Sequence, residues 1–263
     1  MLVIGPAEAG KTTFTARLAN LLHARGLKVA VVDADVGQSE IGPPAAVGLG
    51  AVRAPLTRTG DAELVAFEFI GVTSPGRQPW RTAEATGRLV ARARAQFDRV
   101  IVDTSGFVDG GFAAALKQRK IAATDPDVVV TIQVGDETEH IVRPLGTRDR
   151  PRVVRLPAVG GGTPRNVTTR RRHRDAALAR HLDGARTVTL EAARVPIRSL
   201  RGDSVPLEQI VPGTLVALND AEGHACALGV VERADAAEGT LSVRTTCARD
   251  AITTVTLGEM TVA

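Results

Sequence analysis

Over its first two thirds the chain alternates short, wholly apolar runs with longer stretches in which apolar residues return every three or four positions. Residues 2–4 form such a run and predict a buried strand. Phe14, Leu18, Leu21 and Leu22 then follow at helical spacing, with Gly26 placed as the left-handed residue that closes the helix. A β-branched run at 29–33 predicts the second strand, so the unit is strand–helix–strand and the sheet parallel. Further strands are predicted at 67–71, 99–103, 127–133 and 152–156. A helix is predicted at 83–97, with Leu89, Val90, Ala93 and Phe97 inward, and a basic helix at 168–182.

After Gly184 the rhythm changes to short β-rich runs at 186–190, 214–218, 225–232, 240–245 and 252–262. Turn signals such as Asn219-Asp220 and Glu238-Gly239 separate them. The expected fold is therefore α/β: a mainly parallel sheet flanked by helices over 1–185, plus a small C-terminal β domain over 186–263, built as an antiparallel barrel or sandwich.

Composition adds exclusions. With 44% hydrophobic and 24% charged residues in 263, the chain is of the globular class, neither disordered nor collagen-like. No apolar run approaches the roughly 18 residues a spanning helix needs, and the N-terminus has no basic n-region or h-region. The expectation is a cytoplasmic protein with no membrane association. Cys226 and Cys247 have no close-spaced partner, which reads as two ordinary buried thiols. The net charge of +4 is unevenly spread: 143–174 holds ten arginines against the single acid Asp149. Such a segment is a docking surface for phosphates or a solvated face in an arginine-rich chain.

Candidate chemistry begins at Gly5-Pro6-Ala7-Glu8-Ala9-Gly10-Lys11-Thr12, followed by Thr13, a full G-x-x-x-x-G-K-[ST] between a strand and a helix. Backbone N–H groups of this P-loop turn in around phosphates, and the helix N-terminus adds its positive end. Lys11 is expected to reach the β- and γ-oxygens of ATP, and the Thr12 hydroxyl to ligate Mg²⁺. Neither a guanine-reading [NT]-K-x-D nor a second lysine at Pro6 is present, which excludes two other P-loop classes.

The loop after the second strand reads Asp33-Ala34-Asp35-Val36-Gly37-Gln38-Ser39-Glu40. Asp33 closes the strand and is expected near Mg²⁺; Asp35 is a candidate general base on an attacking hydroxyl. The same residues also suit turn aspartates that satisfy loop amides.

These segments together resemble the polynucleotide 5′-hydroxyl kinases, the family of the eukaryotic RNA kinases of tRNA splicing, mRNA 3′-end cleavage and pre-rRNA maturation. Residues 69–76 resemble that family's clasp, Thr104-Ser105-Gly106-Phe107 its Thr-x-Gly-Trp stretch, and Arg165 and Arg170 its lid arginines, in a basic lid at about 160–175. The resemblance covers nearly the whole chain. It implies transfer of the ATP γ-phosphate to the 5′-OH end of RNA or DNA. Asp35 would activate that hydroxyl, Gln38 would position metal or acceptor, and Arg165 and Arg170 would neutralise the transferring phosphoryl group.

The resemblance further implies that Thr73, Gln78, Phe107, Arg171 and Arg174 contact the polynucleotide. Phe107 stands where many relatives have tryptophan, and serves as a stacking ring or as a core residue; Gln78 replaces the clasp asparagine. Trp80 is a second stacking ring or a packing anchor. Asp103, where many relatives have asparagine, is expected beside a metal-bound water. The eukaryotic members' large N-terminal domain has no counterpart in this sequence, so the expectation is a minimal, prokaryotic-type kinase. Two other functions are open to the same motifs: a kinase of a nucleoside or sugar, and a non-catalytic ATP-bound scaffold.

Overall fold

The computed structural model describes residues 1–146, 149–158 and 167–262. Seven strands form its first sheet: β1 (Leu2–Ile4), β2 (Val29–Ala34), β3 (Ala46–Val52), β4 (Glu63–Phe69), β5 (Arg99–Thr104), β6 (Val128–Gln133) and β7 (Arg152–Pro157). Their spatial order is β4-β3-β2-β5-β1-β6-β7. From β2 to β7 the neighbours run parallel, while β3 and β4 join antiparallel at one edge. The parallel strands thus end on one edge of the sheet, where the loops after β1, β2 and β5 meet.

Alternation along these strands feeds two cores. Leu2 and Ile4 of β1 face one side with Val32 and Val102, against α2 (Pro79–Arg94) and α3 (Gly110–Thr124) through Leu89, Val90 and Ile121. Val3 faces the other side with Val29, Val31 and Ile101, against α1 (Lys11–His23) through Phe14, Leu18 and Leu22. α1 ends as its sequence predicts: Gly26 sits at φ 81, and the Leu27 amide reaches back to the Leu22 carbonyl at 3.3 Å. α2 begins four residues before the expected start, because Pro79 fits the first turn where no N–H is needed.

β3 has no counterpart among the predicted strands. Its sequence, Ala46-Val-Gly-Leu-Gly-Ala-Val52, carries glycine at alternate positions and so lacks the apolar run that marks a buried strand. A Cβ on Gly48 would lie 2.0 Å from the Ile41 carbonyl oxygen, and one on Gly50 2.8 Å from Ala62 Cβ. The loop after β2 lies directly on β3, and only glycine admits it.

Two further helices complete the first layer set, the single turn α4 (Glu139–Val142) and, after β7, α5 (Val167–His181). The second sheet has six strands: β8 (Arg186–Glu191), β9 (Ile197–Arg198), β10 (Thr214–Asn219), β11 (Ala225–Asp235), β12 (Thr240–Thr245) and β13 (Thr254–Thr261). Their order is β8-β12-β11-β10-β13-β9, antiparallel except for the β13–β9 pair. In place of the expected barrel or sandwich there is one sheet. Val188 and Leu190 of edge strand β8 share an apolar cluster with Ile197 of the opposite edge, although those edges do not pair.

The other face of this sheet is not solvated. Leu215, Ala217, Leu228 and Val230 pack against Phe67 and Phe69 of β4 and Leu178 of α5. The two cysteines also differ from expectation. The antiparallel return of the chain brings Cys226 Sγ to 3.3 Å from Cys247 Sγ, and Cys226 is exposed.

Phe69 is 4% exposed and sits in the seam between the sheets. Phe69→Ala is expected to lower stability by about 3–5 kcal/mol, the usual loss for a buried ring replaced by a cavity. Urea unfolding followed by circular dichroism measures it, and an unchanged midpoint would mean the seam contributes little.

Candidate phosphoryl-transfer site

The P-loop hugs the sheet edge because two glycines allow it. A Cβ on Gly5 would stand 2.3 Å from the Ile132 carbonyl oxygen of β6, and one on Gly106 2.5 Å from Ala7 Cα. The loop after β5 therefore backs directly onto the P-loop. Gly10 takes φ 91 and Glu8 φ 58, left-handed backbone that turns the loop before α1 starts. Lys11 is 7% exposed and donates to the Pro6 carbonyl at 2.7 Å; burial holds its ammonium pKa below the usual lysine range.

Three carboxylates face this loop, and they are not equivalent. Asp33 is buried at the end of β2, and its oxygens accept from the amides of Asp35 (3.0 Å), Glu40 (2.6 Å) and Ile41 (3.1 Å). It folds the loop that carries Asp35, the turn-aspartate role, rather than presenting free oxygens to a metal. Burial, reinforced by Asp103 and Asp35, pushes its pKa up to about 8. Asp103, its register partner on β5, accepts the Thr12 hydroxyl on Oδ2 at 2.7 Å, while its buried Oδ1 has no hydrogen-bond partner. Burial raises Asp103 to about 6, against the opposing pull of the Thr12 hydroxyl and Lys11.

Asp35 accepts the amides of Gly37 (3.0 Å) and Gln38 (3.2 Å) on Oδ1. Gln38 Nε2 donates to the Gly37 carbonyl at 2.6 Å, and its buried Oε1 is without a partner. Two unpartnered acceptor oxygens, on Asp103 and Gln38, plus the Thr12 hydroxyl make a donor set of the hard, oxygen-only kind that Mg²⁺ takes. Among the described residues no three His, Cys, Asp or Glu side chains gather to hold a metal alone. A magnesium ion here would share its coordination with phosphate oxygens and water, as that ion usually does.

Behind these loops lie two lysines that the sequence reading used only to exclude other classes. Lys117 and Lys120 of α3 are fully buried. Lys117 Nζ donates to Thr104 Oγ1 at 2.9 Å and to the Ser105 carbonyl, so it fixes the loop after β5. Lys120 Nζ donates to the Ala34 carbonyl at 2.7 Å and fixes the residue before Asp35. Burial lowers Lys120 to about 8 and Lys117 well below the usual range. The available signal was compositional: the chain has only four lysines among 33 basic residues, and three of them surround this site.

One open cleft of about 1060 Å³ joins Lys11, Thr12 and the rest of the exposed P-loop to Asp33, Asp35, Gln38, Thr73, Asp103, Phe107, Arg170 and Arg174. Thr73 is close because a Cβ on Gly37 would lie 2.9 Å from its carbonyl oxygen. Arg17, Asn20 and Arg58, which the sequence did not single out, line the same cleft. Arg170 and Arg174 stand one turn apart on the α5 face that carries Leu178, whose side chain is held in the seam between the sheets.

Two predicted contacts fall elsewhere. Arg171 is exposed on a neighbouring face of α5, 3.8 Å from Asp175. Gln78 donates to Glu259 of β13 at 2.8 Å, outside the cleft. Arg165 lies outside the described residues. The charge excess is also partly quenched, since Arg150 pairs with Asp127 and Arg155 makes two bonds, 2.8 and 2.9 Å, to Glu139.

No helix among the described residues is long and apolar enough to cross a membrane. The family model for the mRNA cleavage and polyadenylation factor CLP1 P-loop matches residues 5–184. A polyribonucleotide 5′-hydroxyl-kinase of Thermococcus kodakarensis is 37% identical over 136 residues, 52% of this chain and 38% of that protein. One of Pyrococcus furiosus is 30% identical over 197 residues, 75% of this chain and 54% of that protein. The chain thus spans about two fifths to half of the length of these relatives. The solved Clp1p–Pcf11p (454–563) complex superimposes with a TM-score of 0.79 at 10% identity, over 99% of this chain and 74% of that one, and shows the same fold. A P-loop set in this sheet, and a family match over most of the chain, place the protein in the CLP1 P-loop family.

Proposed function

We propose that the protein is an ATP-dependent polynucleotide 5′-hydroxyl kinase that transfers the γ-phosphate of ATP to the 5′-OH end of RNA and/or DNA, in the cytoplasm where ATP is supplied. The observation that carries this reading is that a triphosphate cradle and a loop carboxylate, Asp35, face each other in one cleft. The relatives' names, polyribonucleotide 5′-hydroxyl-kinase, support it and favour RNA.

In this reading Lys11 leaves the Pro6 carbonyl to bind the β- and γ-oxygens, and the P-loop amides hold the β-phosphate. Thr12, Asp103 and Gln38 would hold Mg²⁺, with Asp33 organising the loop in place of ligating. When bound, that ion neutralises phosphate charge and orients the donor. Asp35, fixed through Oδ1 by two amides, accepts the proton of the attacking 5′-hydroxyl on its other oxygen. Arg170 and Arg174 neutralise the phosphoryl group and the acceptor backbone, with Arg165 as a further lid arginine. The cleft is at the upper end of the roughly 300–1,000 Å³ typical of small-ligand pockets. Its extension to Arg17 and Arg58 favours a polymeric acceptor over a nucleoside or sugar.

The direct test is transfer of label from γ-labelled ATP with Mg²⁺ to matched RNA and DNA oligomers. Label is expected in 5′-OH oligomers and not in 5′-phosphorylated ones; labelling of both, or of neither, overturns the reading. Lys11→Ala is expected to abolish transfer. Asp35→Asn should lower it by about 10²–10⁴, the usual share of a general base, and leave ATP affinity near that of the parent chain by calorimetry.

Glu259 of β13 holds Gln78 at 2.8 Å and Arg77 at 2.8 Å, so the second sheet braces the segment that carries Thr73. Glu259→Ala is expected to raise KM for the oligonucleotide severalfold while KM for ATP stays constant. Equal changes in both constants would assign Glu259 to general stability.

A further inference from the structure

The chain spends its aromatic side chains sparingly: six phenylalanines, one tryptophan and no tyrosine. Four of the phenylalanines, Phe14, Phe67, Phe69 and Phe97, serve the cores. The remaining three rings, Phe107, Phe112 and Trp80, each lie in the cleft or a few residues after one of its lining residues, Asp109 and Gly76. Phe107 lines the cleft itself. Phe112, at the first turn of α3, is 51% exposed, and its ring centroid lies 6.5 Å from that of Phe107 at an interplanar angle of 55°. Trp80, at the first turn of α2, is 48% exposed, and the Arg119 guanidinium carbon lies 3.2 Å from its ring centroid.

Arg119 follows Phe112 by seven residues, two turns of α3, or about 10 Å along the helix. The order outward from the cleft is therefore Phe107, Phe112, then the Arg119–Trp80 pair. Single exposed apolar residues are ordinary, but successive rings leading from one cleft are not. Arg119 is exposed, and its guanidinium lies over the indole face of Trp80, a cation–π contact that leaves N–H donors open to a phosphate. Flat π faces next to an exposed guanidinium suit unpaired nucleobases joined by phosphates, which stack regardless of sequence. A duplex keeps its interior bases stacked on each other and exposes only the outer face of its terminal pair, so it cannot fill successive ring sites.

We propose that Phe112 and the Trp80–Arg119 pair form a nucleobase-stacking track for a single-stranded polynucleotide, taking the bases that follow its 5′-terminal nucleotide. The track rests on the kinase reading for its polarity, with the 5′ end at Asp35. It makes the enzyme select for single strands several nucleotides long.

Trp80 is the only tryptophan, so intrinsic emission reports on the track alone. The full chain is titrated, without ATP, with 5′-OH oligouridylates of one, two, four and eight nucleotides and with a blunt duplex. Binding is followed in parallel by anisotropy of a 3′-labelled oligomer. The tetramer and octamer are expected to quench Trp80 and the mononucleotide and duplex not to. Phe112→Ala should weaken octamer binding about tenfold, the lower part of the range for a lost base–ring stack. Phe112→Leu, which keeps an apolar side chain without a ring, should show the same loss if stacking is the cause.

An octamer that binds without quenching, or binds Phe112→Leu as tightly as the parent, overturns the track. So does quenching by the duplex equal to that by the single strand, or an octamer that does not bind. These outcomes are separate from failure of the kinase reading, which appears as no label transfer by the parent chain to any 5′-OH oligomer.

Discussion

Asp33 and Asp103 stand opposite each other in the β2–β5 register, both buried, and the site is organised around holding two neighbouring carboxyl groups where burial raises the pKa of each. Adjacent parallel strands cannot move them apart, because the register is fixed by the apolar residues that precede each aspartate. The fold answers with geometry. Asp33 is absorbed by three backbone amides, which makes it the keystone of the loop bearing Asp35. Asp103 takes the Thr12 hydroxyl and so ties the second parallel neighbour to the P-loop. Lys11 in front and Lys120 behind oppose the carboxylates, and Lys117 fixes the loop after β5 by its hydrogen bonds. Leaving any one of these charges unpaired in so dry a place would be costly, so the arrangement holds together as a unit.

The buried lysines also tie two loops of different origin to one helix. Both ammonium groups come from one helix, α3, three residues apart, and each ends on the backbone of a different strand end. Lysine suits this task where arginine does not. A compact point donor on a flexible stem fits a single carbonyl, whereas a planar five-donor fork would leave buried N–H groups unmet. In a chain that elsewhere, apart from exposed Lys28, uses arginine for its positive charge, Lys117 and Lys120 occupy positions whose shape suits lysine and not arginine.

The second sheet acts on the site at a distance. Its strand β13 donates the Glu259 amide to the Gly71 carbonyl at 2.9 Å and offers the Glu259 carboxylate to Arg77 and Gln78. Its outer loop accepts Arg81 at the Leu200 carbonyl, 2.7 Å away. The segment from Phe69 to Gln78 is therefore held between two sheets as well as by its own turn, in which the Arg77 amide donates to the Ser74 carbonyl at 3.1 Å. The same seam seats Leu178, and through α5 it sets where Arg170 and Arg174 stand. One apolar interface thus positions polar groups on both sides of the cleft.

What was legible in the sequence is what local chemistry encodes. The P-loop, the Asp35 loop, the parallel strands and the five longer tail strands carry their signals in contiguous residues. The unread parts depend on partners distant in the chain. β3 looks like a loop because its glycines answer to Ile41 and Ala62 lying on top of it. Gln78 sits where the resemblance expects an acceptor contact, yet its amide is claimed by Glu259, 181 residues later. Arg170, Arg171 and Arg174 are indistinguishable in composition. Only the fixing of Leu178 in the seam decides that the first and third face the cleft while the second meets Asp175. A helix face acquires its meaning from what anchors it, and here the anchor belongs to a different sheet from the site it serves.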